Sequence, residues 1–577
     1  MNHPFFLLLF LILLFFNGEA VVMPMNSGTL EHIDPTLPSA RAGQEPKCSV
    51  LVLRHEFANT LGHPPATANF SQPEECPHPW SRVVLELAVS ATDIQKGRMA
   101  AVWIDGAEIL RMSTPVPMAP GAFWRVEKDV TRYEALLLRL SSVNGGALSM
   151  MLENSNKTLP GVYHANVTLH FYRGVFADAR QGYTAHPSVK GLYSQPANLI
   201  YPISQDCYGN GFWFRINNES HVPVSSIAIP RNTYRAVLEI FASHHSDDEF
   251  WYTKPFRSTY SQNKADNHMT TIKGNGAFRQ LYATIDGKFV GGHIPFAVIY
   301  PGAINPYFWS PVAAIGAFDI PSYDLDITPF LGMLLDGQLH EVGLGVREAT
   351  SHWLASANLH LWIDPVSDNV EAGLSVYRAP RLRIHRHAEW HDENGSSDVS
   401  TDGIMRFAGW VVSSKGNLTT TVRMKVRFRS KVEMHEHGSA KTVEMIHKSR
   451  TTLGVRRGVK SLGHSDMFVE APLHLQTMRV PAPAGGVYEK TRLTHQLKEW
   501  VYVDNKEMSG TSAVTDRQEV EGSALLHGGE PVWGSGSMKS SYKYRDAEEC
   551  HIRVVNTEAG VVKFDATSRS CSAVADV

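Results

Sequence analysis

Arg82-Val83-Val84-Leu85-Glu86-Leu87-Ala88 and Arg235-Ala236-Val237-Leu238-Glu239-Ile240-Phe241 are two spellings of one segment, and together they decide how the chain is read. Around them the same order of blocks recurs. Trp103-Ile104-Asp105-Gly106 returns as Thr284-Ile285-Asp286-Gly287, and Asp129-Val130-Thr131 as Asp326-Ile327-Thr328. Thr168-Leu169-His170-Phe171-Tyr172 returns as Asn358-Leu359-His360-Leu361-Trp362. Four blocks in one order imply two copies of a single unit. The offset grows from 153 residues at the first block to 181 at the second, so the second copy carries an insertion.

Each copy reads as antiparallel β. Asp105-Gly106 and Asp286-Gly287 each sit between apolar runs and supply the positive φ angles of a tight hairpin. Thr131-Arg132-Tyr133-Glu134 matches a capping box, and Thr328-Pro329 places a cap residue before a proline at the first helical position, so each copy predicts one short helix. Both copies close on alternating strands, Val162 to Tyr172 and Leu354 to Ile363. The expected fold is all-β: two tandem jelly-roll or β-sandwich domains, residues 46–175 and 195–365, followed by a third β-rich region, 366–577. Within that region Thr420-Val422-Met424-Val426-Phe428 alternates strongly, whereas Gly438 to Arg457 and Asp504 to Gly536 read as exposed loops or edges.

The 577-residue chain opens with twelve apolar residues, Phe5 to Phe16, too few to span a bilayer but suited to a signal peptide cleaved after Ala20 (residues 1–20). Sequons at Asn69, Asn156, Asn166, Asn218, Asn394 and Asn417 agree with a secreted glycoprotein. Among five cysteines, Cys48 with Cys76 and Cys550 with Cys571 form the preferred disulfides, leaving Cys207 over. The expected compartment is the secretory pathway, ending outside the cell, in the cell wall or in the vacuole. A net charge of −3 argues against nucleic acid or an acidic membrane surface as partner.

The insertion opens His244-His245-Ser246-Asp247-Asp248-Glu249-Phe250-Trp251-Tyr252 and runs to about Phe278. Carboxylates beside aromatic rings suit a site that binds a sugar and moves a proton, since rings stack on sugar faces and a half-buried Glu is tuned toward neutral pH. A solvated acidic turn with an apolar anchor fits the composition equally. Adjacent His244 and His245 point to opposite faces of a strand, which argues against a shared metal. The pairs His385/His387 and His435/His437 lack an obvious third ligand and read as edge decoration. Gly302 to Trp309 reads either as a cleft-lining loop or as a cover over a core.

His245-x-x-Asp248-Glu249-Phe250-Trp251-Tyr252, Gly302-x-Ile304-Asn305-Pro306 and, above all, Ala314 to Gly332 resemble the plant peptide-N-glycosidase A family, acid-type glycoasparagine amidases. In the first copy Phe57-Ala58-Asn59-Thr60, Glu108-Ile109-Leu110-Arg111 and Val126 to Tyr133 fit the same pattern. The resemblance implies hydrolysis of the amide joining N-acetylglucosamine to asparagine, with no metal or organic cofactor. The implied partners are N-glycosylated peptides or denatured glycoproteins, with no membrane association after leader cleavage. It further implies Glu249, Asp248, Arg98 and Arg279 as catalytic residues. Trp251, Tyr252, His245, Asn305 and Trp309 would bind substrate. Two positions depart from the family pattern: Lys96-Gly97-Arg98 stands for Phe-Asp-Arg, and Thr114-Pro115-Val116-Pro117 for Thr-Ala-Glu-Pro. Each departure removes a carboxylate, which raises a second reading: a relative that binds N-glycans without cleaving them.

Overall fold

The computed structural model describes residues 30–571 apart from 38–44, 71–73, 118, 141–145, 156–158, 160, 174–194, 205–210, 257–274, 506–508 and 548. The expected leader, Asn156, Cys207 and most of the insertion therefore lie outside the described residues.

In the first unit, Glu31–His32, Phe123–Asp129, Arg82–Ala91, Tyr163–Tyr172 and Cys48–Phe57 form one sheet in that order. Ala66–Phe70, Gly146–Leu152, Met99–Ile104 and Ala107–Ser113 form a second. Leu85, Leu87, Val167 and Leu169 of the first sheet share one core with Val102, Ile104, Leu148 and Met150 of the other. Each such side chain stabilises the fold by about 1.5–3 kcal/mol through burial. The second unit repeats the plan. Thr233–His244 lies between Ser322–Asp326 and Trp353–Ile363, as Arg82–Ala91 lies between Phe123–Asp129 and Tyr163–Tyr172. Its facing sheet is Val224–Ile227, His340–Arg347, Gln280–Ile285 and Lys288–His293.

The repeated blocks do the same mechanical work in both units. Both hairpins turn on two residues of positive φ: 49° and 81° at Asp105 and Gly106, 47° and 75° at Asp286 and Gly287. The turn aspartate then accepts a backbone N–H from the neighbouring strand, Ala147 in one unit and Glu341 in the other, each at 2.9 Å. The expected threonine caps are corrected. Both threonines lie inside the first turn, and Asp129 and Asp326 accept the N–H of Thr131 and Thr328. The threonine hydroxyls instead accept the strand N–H of Val83 (2.9 Å) and Ala236 (3.2 Å). A short α-helix, Glu134–Leu140, follows in the first unit, whereas the second has only the 3₁₀ turn Thr328–Met333.

The C-terminal region is an eleven-stranded sheet, mostly a meander of strands 16–22 residues long. Ala440–Arg457 and Ser509–His527 are interior strands of it, not exposed loops. Their inward faces include His447, Ser512, Asp516 and Gln518, and this polarity hides the alternation. The sheet covers the second unit: Phe407 packs on Phe330 and Phe428 on Phe278, with ring centroids 5.1 and 5.4 Å apart. The described disulfides are Cys48–Cys76 and Cys550–Cys571, with Cα separations of 5.8 and 5.7 Å. Among the described residues no helix is long and apolar enough to cross a membrane.

Candidate active site

The two sandwiches are joined by buried polar side chains whose partners come from both units. Arg111 donates to both Glu108 oxygens at 2.6 and 2.7 Å, and reaches Ser243 Oγ (3.1 Å) and the Leu354 carbonyl (2.7 Å) across the junction. Glu108 also accepts from Trp213 Nε1 at 3.0 Å and from the Ser356 hydroxyl. Nearby, the Tyr133 hydroxyl donates to Glu239 at 2.9 Å, and Arg132 pairs with both Glu239 and Asp324. Burial alone would raise the Glu239 carboxyl, but Arg132 and His360 hold it well below the usual range. Removing one member of such a buried network strands the other's charge, so the units are held at one angle.

Along this junction a circuit of groups can be traced from one unit to the other and back. Arg98 precedes Met99–Ile104, anchored by its N–H to Thr114 Oγ1 at 2.9 Å. Glu153 ends the adjacent strand, its N–H on the Met99 carbonyl. From the second unit, Arg215 donates to His352 Nδ1 at 3.1 Å, and the His352 ring stacks on His245 at 5.2 Å. His245 lies beside Tyr300 at 6.2 Å, and the loop after Tyr300 returns to the first unit. There a Cβ on Gly97 would stand 3.1 Å from the Pro301 carbonyl oxygen. Arg98 and Arg215 both act electrostatically on Glu153, which closes the circuit.

Two half-buried carboxyls belong to this region. Burial raises the Glu249 carboxyl. Burial also raises Glu153, partly offset by Arg98 and Arg215. His245 is pushed well below its ordinary value by burial and by the neighbouring His244, His352, Arg111 and Arg215, so it is neutral at neutral pH. The Arg98 Nε is buried and carries no hydrogen bond among the described residues. It is a donor without an acceptor, beside a carboxyl that its charge favours.

Other predicted site residues take supporting positions. Asp248 and Arg279 are both closed to solvent and bond to each other twice, at 2.9 and 2.6 Å. Asp248 further accepts from Thr350 N (3.0 Å), Thr350 Oγ1 (2.5 Å) and Trp353 Nε1 (2.8 Å). Burial pushes its pKa up, but Arg279, Thr350 and Trp353 together hold it well below the carboxylate range. With its lone pairs engaged and its charge fixed, Asp248 anchors the turn that presents Glu249. Trp251, Tyr252, Asn305 and Trp309 are at most 3 % exposed. These four, expected at the sugar site, pack in the core and present almost no surface in this structure. The Gly302–Trp309 loop is a cover: Gly534 and Gly536 have no side chain where Tyr307 lies against the C-terminal sheet.

Residues 35–380 match the family model described as peptide N-acetyl-beta-D-glucosaminyl asparaginase amidase A. A peptide-N4-(N-acetyl-beta-glucosaminyl)asparagine amidase A from Prunus dulcis is 33 % identical over 537 residues, covering 91 % of this chain and 90 % of that protein. The chain belongs to this amidase A family. Among solved structures, a PNGase F from Flavobacterium meningosepticum aligns at 14 % identity and TM-score 0.33 over 56 % of this chain and 97 % of that one. PNGF-II aligns at 10 % identity and TM-score 0.35 over 55 % and 66 %. Both likenesses are too distant to carry weight.

As a member of the amidase A family, the chain shows how its two departures pack. The space beside Gly97 holds the Pro301 carbonyl, with Val116 3.7 Å from the same point, and a Cβ on Gly302 would stand 2.8 Å from Val116. One loop of the second unit therefore closes over both positions. Sequence reading passed over Glu153, Arg215, His352 and Tyr300. The pairing of Met99–Ile104 with Gly146–Leu152 brings Glu153 beside Arg98, and no local motif marks that meeting.

Proposed function

We propose that this amidase A family member hydrolyses the amide joining N-acetylglucosamine to asparagine in N-glycopeptides, at the junction of its two sandwiches. The observation carrying this reading is the grouping of Arg98, whose Nε has no bonded acceptor among the described residues, with Glu153 and Arg215, and of Glu249 near enough to Tyr300 of the same junction to act on it electrostatically. Amide hydrolysis requires an activated water, a cation or donor for the oxyanion, and a proton for the leaving nitrogen. Glu153, eased toward ionisation by two arginines, takes the proton from water as the oxygen adds to the carbonyl carbon. Arg98 donates to the developing oxyanion. Glu249, whose carboxyl burial raises above the ordinary range, gives its proton to the nitrogen as the C–N bond breaks, releasing a glycosylamine and leaving aspartate on the peptide. The apolar leader, the sequons and two disulfides support a secretory-pathway protein acting on glycopeptides or unfolded glycoproteins.

The loop seated over Gly97 and Val116 favours one alternative, a glycopeptide binder without turnover. Incubating purified protein with a defined N-glycopeptide from acid to neutral pH, read by mass spectrometry, separates them. Conversion of the glycosylated Asn to Asp is the expected result. Retention of Asn after sugar loss would indicate a glycosidase, and binding without cleavage would establish the alternative.

A further inference from the structure

A cavity of about 360 Å³ lies at the seam between the second sandwich and the C-terminal sheet, and none of its lining residues belongs to the junction site. Gln280 and Tyr282 come from the strand Gln280–Ile285, Arg347 from its neighbour His340–Arg347, and Phe289 from the other side of the hairpin. Arg381 enters from the link that precedes His385–His391, and Glu219 from the loop that precedes Val224–Ile227.

The charge in this cavity is unbalanced. Two guanidinium groups, Arg347 and Arg381, face one carboxylate, Glu219. The nearby Arg386 is already spent on Glu348. The Arg347 Nε is buried and has no hydrogen bond among the described residues. Burial, then Arg381, presses its charge toward loss, while Glu348 and Glu219 only partly offset this. A group in that state is stabilised by an acceptor, and a carboxylate matches the guanidinium fork.

The floor is aromatic and held in place. Gly345 lies under the Tyr282 ring: a Cβ there would stand 2.4 Å from Tyr282 Cζ, so only glycine lets the ring lie against the strand. The Phe289 ring sits 6.1 Å away, tilted by 31°. Fixed ring faces accept the apolar face of a sugar, while Gln280 and Glu219 supply polar groups for hydroxyls. We propose that this pocket binds an acidic monosaccharide of the uronic-acid class, its carboxylate on Arg347 and Arg381 and its ring on Tyr282 and Phe289. Neither feature alone selects that class: the arginines would take any small anion, and the rings any sugar.

Titrating the full chain with glucuronate, glucose, acetate, inorganic phosphate and a short unmodified peptide, by calorimetry or ligand-observed NMR, tests the pairing. Glucuronate is expected to bind at least about tenfold more tightly than each of the others. Arg347→Gln should weaken it by about tenfold or more, with the melting temperature and glycopeptide turnover unchanged. The exposed Arg381→Ala, which leaves folding alone, should weaken it several-fold and decides the matter if Arg347→Gln misfolds. Equal affinity for acetate or phosphate would reduce the pocket to a general anion site and overturn the proposal. Equal affinity for glucose or the peptide, or indifference to both substitutions, would overturn it too.

Discussion

The two sandwiches share a strand order, a hairpin and an aspartate–threonine turn, yet they treat one equivalent arginine in opposite ways. Arg98 and Arg279 hold the same place, each just before the strand that leads into the Asp-Gly hairpin. In the second unit the guanidinium is sealed against Asp248 by two hydrogen bonds, and in the first its Nε has no acceptor among the described residues. The contrast teaches that duplication supplied two versions of one position. One has become structure, holding the turn that carries Glu249, and the other keeps an unbonded Nε among the described residues. The insertion made this possible, because it brought Asp248 to Arg279, whereas among the described residues the Arg98 Nε meets no acceptor.

The sharpest way to break this comparison is to remove one carboxyl from each unit, Glu249 on the turn held by the sealed arginine and Glu153 beside the unbonded one. Glu249→Gln and Glu153→Gln are each expected to lower kcat/KM on a defined glycopeptide by roughly 10²–10⁴-fold. A loss of less than threefold for either would remove that residue from the chemistry. The arginines come next. Asp248→Ala should destabilise the fold by about 3–5 kcal/mol in denaturant titration, because it leaves Arg279 buried and unpaired. Arg98→Ala should leave stability within about 1 kcal/mol of wild type while turnover falls. Equal stability costs for the two would mean that the units do not differ as described.

Neighbouring Asp248 and Glu249 carry opposite shifts, and the pH dependence of stability should divide accordingly. The Asp248 carboxyl is held below its ordinary 3.8, so its contribution is complete above that value and is lost as pH falls toward its folded pKa. The Glu249 carboxyl is raised above 4.5, so its contribution is present below that value and is lost as pH rises through its folded pKa. Thermal melts should therefore show Asp248→Asn flattening the acid limb. Glu249→Gln should be more stable than wild type near neutrality although inactive. A Glu249→Gln variant that loses stability at neutral pH would contradict the raised pKa. The smallest effect concerns what the copies share. Thr131→Val and Thr328→Val should cost similar amounts, about 1 kcal/mol each, since each removes a hydroxyl that accepts a strand N–H. A cost confined to one unit would show that the two turns are not equivalent.

Much of the fold was legible because repeated blocks and Asp-Gly turns are local signals with a mechanism. The threonine turns were misassigned because a threonine followed by helix formers looks the same whether it caps the turn or sits inside it. The interior strands 440–457 and 509–527 were passed over because polar residues such as His447 and Gln518 occupy inward positions. At the site, Glu249 and Arg98 could be picked from the pattern. That Trp251 and Trp309 are sealed in the core could not, since composition does not separate a core aromatic from a cleft aromatic. Glu153 depends on a pairing between strands about fifty residues apart, and only the assembled sheet reveals it.

One tie at the start of the described residues forms last. Ile33 bridges to Val312, its N–H on the Pro311 carbonyl, and Arg553 donates to the carbonyls of Asp34 (3.1 Å) and Leu37. That contact joins residues 519 positions apart. As the chain emerges from the ribosome, both sandwiches can close before Arg553 exists, with Glu31–His32 on Phe123–Trp124 and Ile33 on Val312, but Asp34 and Leu37 gain their tie to Arg553 only when nearly the whole polypeptide has been made. Contacts of such sequence separation form slowly. A product truncated before Arg553 would thus lack the tie at Asp34 and Leu37, giving quality control a physical mark by which to tell an unfinished molecule from a finished one.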